Sequence, residues 1–165
     1  MAINTALIAE LKHESINTRK ILERVPTDKL DWLPHEKSMK IGRLAKHIAD
    51  LPIWVERILN IDEFNFATAN FNRDAPANTE EILKLFDERF SAAIKVLESS
   101  PDENFNATWT VYRGEQLMFQ MPKKVALRNF AFNHGYHHRG QLSVYLRLLN
   151  IAVPGMYGPS ADETM

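Results

Sequence analysis

The sequence predicts an all-α fold, a bundle of four helices with a short β-hairpin between the third and the fourth. Three observations carry this. Four long stretches repeat their apolar residues at i, i+3 and i+4, the period of a helix with one buried face. Proline-rich or polar connectors separate these stretches. One short stretch, residues 107–121, instead alternates β-branched and aromatic residues around a turn.

The first helix spans residues 3–24, with Ile3, Leu7, Leu11, Thr18, Ile21, Leu22 and Val25 on its apolar stripe and Pro26 as its stop. Glu14 falls between Leu11 and Thr18 and is expected at the edge of the stripe, reaching water. The connector 26–39 places Trp32 and Leu33 over one end of the bundle. It leaves His35 solvated and offers Ser38 as an N-cap. The second helix runs from about Lys40 to about Asn60 and contains Pro52, which removes the bond to the Ile48 carbonyl and should kink it. A second connector, 61–77, holds Phe64, Phe66 and Phe71, read as a lid on the core, and turn material at Asn72-Arg73-Asp74-Ala75-Pro76.

The third helix covers 79–99, with Thr79 as N-cap and Glu80 and Glu81 in a first turn that favours negative charge. Its buried face is Ile82, Leu85, Phe86, Phe90, Ala93, Ile94 and Leu97, a packing surface without titratable groups. The hairpin turns at Arg113-Gly114-Glu115 and needs the bundle end to pack against. Pro122 opens the last helix, where proline is tolerated. Leu127, Phe130, Ala131, Leu142, Tyr145, Leu148 and Leu149 form its apolar face. Gly135 and Gly140 inside this helix cost about 1 kcal/mol each relative to alanine; close approach of a neighbouring helix or of a second subunit would account for them. The tail after Ile151, with two prolines and two glycines, should run irregularly over the surface.

The chemistry concentrates where apolar faces are interrupted. Extending the last helix's face through its gap lands on His134, His138 and Gln141. Two imidazoles four residues apart lie one above the other on a helix. On the second helix, His47 interrupts the stripe of Leu44, Leu51, Trp54 and Ile58 in the same way. Burying such groups is costly unless something satisfies them. A shared metal ion would do so, with coordination positions left open for water or substrate. Core histidines bonded to their neighbours are the alternative.

Composition narrows the function classes. The chain has 165 residues, enough for a single domain with a real core, here 1–165, and a net charge of −1. No basic run suggests nucleic acid, and no apolar stretch is long enough to span a bilayer. The sequence contains no cysteine, so disulfides, thiolate ligands and a cysteine nucleophile are excluded. With no leader-like start, the expectation is a cytoplasmic protein.

Three segments resemble the DinB/YfiT-like family of metal-dependent enzymes: Asp31-Trp32-Leu33-Pro34 leading to Leu44-Ala45-Lys46-His47; Asn133-His134-Gly135-Tyr136-His137-His138-Arg139-Gly140-Gln141-Leu142; and Val153-Pro154-Gly155-Met156-Tyr157-Gly158-Pro159-Ser160-Ala161-Asp162-Glu163. The resemblance covers nearly the whole chain. It implies a four-helix bundle with a long crossover, often a homodimer, holding a divalent metal on His47, His134 and His138. It also implies kinship with transferases and isomerases that use low-molecular-weight thiols. Nothing firm follows for His13, His35 or His137, and His137 projects about 100° away from His138.

The expected function is that of a divalent-metal-dependent enzyme with an open three-histidine site, a thiol-dependent S-transferase or a hydrolase acting on a small molecule. The alternative is a stress-response protein that binds metal or a small molecule without turnover. Because the chain lacks cysteine, a reacting thiol has to arrive as a cosubstrate. Gln141 is placed to orient an imidazole or bond a ligand. Trp54, Tyr112 and Tyr145 are candidate pocket walls, with core packing as the alternative for each. Nitrogen ligands suit zinc and nickel, with iron and manganese as further candidates.

Overall fold

A computed structural model describes residues 2–72 and 74–163. The chain is mostly helical with a small three-stranded sheet. The helices are α1 (Ile3–Leu22), α2 (Ile41–Asp50), α3 (Ile53–Leu59), α4 (Thr79–Ser99), α5 (Lys123–Leu127) and α6 (Asn133–Leu148). The strands are β1 (Glu63–Asn65), β2 (Thr108–Arg113) and β3 (Gln116–Pro122). No helix among the described residues is long and apolar enough to cross a membrane.

Four continuous helices are not what forms. The expected second helix is two, α2 and α3, parted at Leu51-Pro52. Proline has no N–H to continue the ladder, so the chain tightens: Trp54 N–H bonds the Leu51 carbonyl and Val55 N–H the Pro52 carbonyl. The kink expected at Pro52 takes the form of an interrupted α-ladder, with Leu51 and Pro52 themselves keeping right-handed helical dihedrals. The last helix is also divided. A π-helical turn, Arg128–Phe132, joins α5 to α6. Such turns carry one residue too many per turn and recur beside functional sites.

The hairpin forms between β2 and β3, with Trp109 opposite Met121 and Gly114 at φ 63 in the turn. A side chain rarely adopts that conformation, and glycine does so freely. Unforeseen in the second connector, β1 adds to the hairpin in parallel, Phe64 beside Val111. The connector's phenylalanines pack as expected: Phe64, Phe66 and Phe71 gather around Trp54, and the Arg57 guanidinium lies over three of these rings. The turn at 72–76 is braced by Asp74 N–H donating to Asn72 Oδ1; Arg73 lies outside the described residues.

Helix ends depart from two of the assigned caps. Asn78, not Thr79, caps α4: its Oδ1 accepts from Glu81 N–H at 2.9 Å, and Thr79 Oγ1 instead donates to the Val25 carbonyl. Ser38 caps nothing. The carbonyls of Trp32 and Leu30 accept from Ile41 and Gly42 N–H at the start of α2. α6 ends in a left-handed Asn150, with Ile151 N–H bonding the Leu146 carbonyl and Asn150 N–H the Arg147 carbonyl.

α1, α2 and α3 pack on α4, while α2 and α1 also meet α6. The core divides into two apolar clusters. One gathers Leu51, Trp54, Trp109 and Ala131 near the sheet; the other gathers Leu44, Ile48, Leu142 and Tyr145. In the π-turn–α6 run, His134 and His138 fall between the buried Ala131 and Phe132 of the first cluster and Leu142 of the second, whereas His47 in α2 stands among residues of the second cluster, between Ala45 and Ile48. Leu148 departs from its expected place on the buried face and is 57% exposed. Neither helical glycine is crowded by its own chain: a methyl at Gly135 would meet only Leu51 Cδ1 at 4.0 Å, and one at Gly140 would meet nothing within 4 Å.

Candidate metal centre

His47 reaches the centre from α2, and His134 and His138 reach it from α6. Successive positions on an α-helix turn by about 100°, so residues four apart return to nearly the same face. This stacks the two α6 imidazoles opposite α2. His134 Nε2 lies 3.3 Å from His47 Nε2 and 2.9 Å from His138 Nε2. All three rings contribute a nitrogen to a group whose donor atoms lie within 4.8 Å of one another. Nitrogens bound at about 2.0–2.1 Å to one tetrahedral ion stand roughly 3.3–3.4 Å apart; the His47–His134 separation matches that spacing, and the His134–His138 pair is closer.

The protonation pattern supports the same fit. Gln141 Oε1 lies 2.9 Å from His138 Nδ1, an acceptor that holds the proton on that nitrogen and turns the Nε2 lone pair toward the other rings. The backbone of Phe130, in the π-turn, hydrogen-bonds the His134 imidazole. Burial pushes the pKa of His47 down to about 4, with the neighbouring His138 and His134 adding to the fall. Burial likewise lowers His134 and His138, the Gln141 bond partly offsetting it for the latter. The three rings are therefore neutral near pH 7, and neutral imidazole is the form that ligates a metal. Converging lone pairs repel one another, and a cation between them removes that repulsion.

No carboxylate joins the group among the described residues. Asp50, one turn beyond His47, is engaged by Arg89 at 2.7 Å. Glu14 does not reach water as expected, nor does it turn to the histidines. Its carboxylate meets the guanidinium of Arg139 and the Tyr157 hydroxyl. The spacing of the first helix hid this, because the partner lies 125 positions away.

Of the remaining candidates, Gln141 sits beside His138 and also donates from Nε2 to the Tyr145 hydroxyl at 3.3 Å. Tyr145 in turn meets the Trp32 ring edge-on, with centroids 5.6 Å apart. Trp54 belongs to the aromatic core and Tyr112 to the sheet. His137 is exposed, its ring 4.9 Å from that of His138, while His13 and His35 stand on the surface outside the group. Sequence reasoning passed over Arg139; its adjacency to His138 was the available signal.

Comparison with known proteins agrees with this architecture. The family model described as "DinB family" matches residues 1–164. The uncharacterized protein YrdA of Bacillus subtilis (strain 168) is 26% identical over 155 residues, covering 91% of this chain and 85% of its own length. Among solved structures, a DinB-like protein from Bacillus cereus ATCC 10987 superposes with a TM-score of 0.71 at 22% identity, over 90% of this chain and 94% of the other. The DinB-like protein YjoA from Bacillus subtilis gives a TM-score of 0.71 at 19% identity, over 94% and 99% of the two chains. The two structures carry the likeness of fold alone, and on the family model, which matches residues 1–164, this chain belongs to the DinB family.

Proposed function

We propose that the protein is a divalent-metal-dependent enzyme whose ion is held by His47, His134 and His138, and that it acts on a small molecule with a low-molecular-weight thiol as cosubstrate. The observation that carries this reading is the convergence of three buried-to-half-buried imidazole nitrogens with no anionic ligand among them. An ion on three neutral ligands would keep its charge and an open position, and so act as a Lewis acid toward water or a thiol.

The chain's own residues set the conditions for that chemistry. Gln141 fixes the His138 tautomer and, through Tyr145, ties the ring to the second apolar cluster. Burial of the imidazoles keeps protons off the ligand nitrogens. With no cysteine in the chain, the sulfur of a transfer reaction comes from outside. Zinc and nickel suit the all-nitrogen donor set.

The test is turnover. Zinc- or nickel-loaded protein is incubated with a low-molecular-weight thiol and 1-chloro-2,4-dinitrobenzene, and separately with an activated ester for the hydrolase variant of the reading. Metal-dependent thioether formation or ester cleavage, lost in His138→Ala, is the expected result. Stoichiometric metal without turnover of either substrate class would favour a non-catalytic binding protein.

A further inference from the structure

Between α1, α2 and α6 the core leaves an apolar pocket of about 40 Å³. Its floor is Ile48, Leu51, Pro52, Phe86 and Phe132, all buried. Its rim is Glu14, Ser15 and Thr18 of α1 with Tyr136 of α6, all half-buried. The pocket lies where the two apolar clusters adjoin, since Leu51 and Phe132 belong to one and Ile48 and Phe86 to the other. Both places where the helical ladder is interrupted, Leu51-Pro52 and the π-turn, border it. None of the three histidines lines it, so the pocket stands apart from the metal centre.

Two features separate it from a simple packing gap. Gly135 borders the pocket from the middle of α6, where alanine is the better helix former. Its backbone does not require glycine, because Gly114 alone among the described glycines has a positive φ. Close packing does not require it either, because an added methyl would meet only Leu51 Cδ1, at an ordinary 4.0 Å. The missing side chain therefore keeps space open at a cost in helix stability. The polar groups of the rim, for their part, are committed inside the chain. Ser15 donates to the Lys12 carbonyl, Thr18 to the Glu14 carbonyl and Tyr136 to the Glu10 carboxylate, while the Glu14 carboxylate is paired with Arg139. No hydroxyl proton is left over for a polar guest, and a charged guest would lose its hydration without gaining a partner.

Size sets the rest of the selectivity. A dry apolar cavity of about 150 Å³ accepts benzene, so one near 40 Å³ takes an alkyl end of about two or three carbons. We propose that this pocket binds the short alkyl end of an uncharged small molecule, whose polar part stays at the rim. Gly135 makes the room and so sets the chain length accepted. The inference does not rest on the metal-centre reading, and its test reads no metal.

The test titrates the full chain with methanol, ethanol, 1-propanol, 1-butanol and 1-pentanol, following the methyl resonances of Ile48 and Leu51 by nuclear magnetic resonance. These shifts should saturate. Affinity should rise about fourfold for each carbon up to 1-propanol, the transfer gain of one buried methylene, with no further gain beyond it. In Gly135→Ala the added methyl occupies part of the pocket, so the gain should stop at ethanol. Ile48→Val removes one carbon from the floor and should extend the gain to 1-butanol. Shifts that do not saturate, an affinity that keeps rising through 1-pentanol, or a limit unmoved in both variants would overturn the inference.

Discussion

Arg139 Nη2 lies 2.5 Å from a Glu14 carboxylate oxygen, with only 4% of the arginine side chain and 13% of the glutamate side chain exposed. The same guanidinium donates from Nη1 to the Glu14 carbonyl and to the Thr18 hydroxyl, and meets Tyr157. Arg139 directly follows His138, so the two side chains leave α6 about 100° apart. Anchoring Arg139 to α1 fixes how α6 is rotated about its axis, and with it where His134 and His138 point.

Breaking this anchor should therefore damage both stability and the centre. Removing one partner of a buried pair leaves the other uncompensated, at a cost of about 3–5 kcal/mol. Arg139→Met should lose stability on that scale in urea denaturation, and the metal affinity of the folded fraction should fall with it. Glu14→Leu combined with Arg139→Met should recover much of the stability, since no charge is then left buried. Wild-type stability in Arg139→Met would show that the pair is only a surface contact.

Gln141 acts through His138. A partner that fixes a ligand's tautomer commonly contributes about 10–100-fold in metal affinity. Gln141→Leu should weaken zinc binding by that factor in a competition titration, while circular dichroism shows the helices unchanged. An unaltered zinc affinity would mean that the 2.9 Å contact between Gln141 Oε1 and His138 Nδ1 is incidental.

Acid should destabilise the metal-free protein before any carboxylate titrates. The unfolded chain takes up its imidazole protons near pH 6.5, whereas burial holds folded His47 down to about 4 and lowers His134 and His138 as well. Between these values the unfolded state binds more protons, so stability falls as pH falls. Urea midpoints of chelator-treated protein should drop from pH 7 to pH 5, and His47→Gln should flatten the slope. The pair of Glu10 with Arg128 adds a separate loss at lower pH, because that carboxyl is held below 4.5 in the fold and its contribution disappears as pH falls through the lowered value. A midpoint independent of pH between 7 and 5 would contradict burial of neutral rings.

Gly140 stands in the middle of α6 with open space where a side chain would be, beside the exposed Val144 and Leu148. Helix propensity alone predicts that Gly140→Ala raises the stability of an isolated chain by about 1 kcal/mol. A loss of stability instead, accompanied by concentration-dependent dissociation in light scattering, would mark this face as the contact of the expected homodimer.

What the sequence made legible followed from local periodicity. The α4 boundaries, the hairpin and the face carrying His134, His138 and Gln141 all come from spacing within one segment, and His47 stood out because it interrupts an otherwise apolar stripe. The misreadings have two sources. Pro52 announced a distortion, but whether α2 bends or breaks depends on what packs around it; the π-turn at Arg128–Phe132 likewise carries no local signature. Other features depend on distant partners: β1 pairs with a strand more than forty residues away, and Glu14 is drawn inward by Arg139. Leu148 fits the helical period yet faces outward, because nothing among the described residues covers it.

The central claim is that His47, His134 and His138 hold a metal. Elemental analysis by inductively coupled plasma mass spectrometry tests it most directly, on protein purified without an affinity tag or added metal. The account predicts about one divalent ion per chain, lost in His138→Ala while the helices persist. Protein free of metal that also takes up neither zinc nor nickel on titration would contradict it.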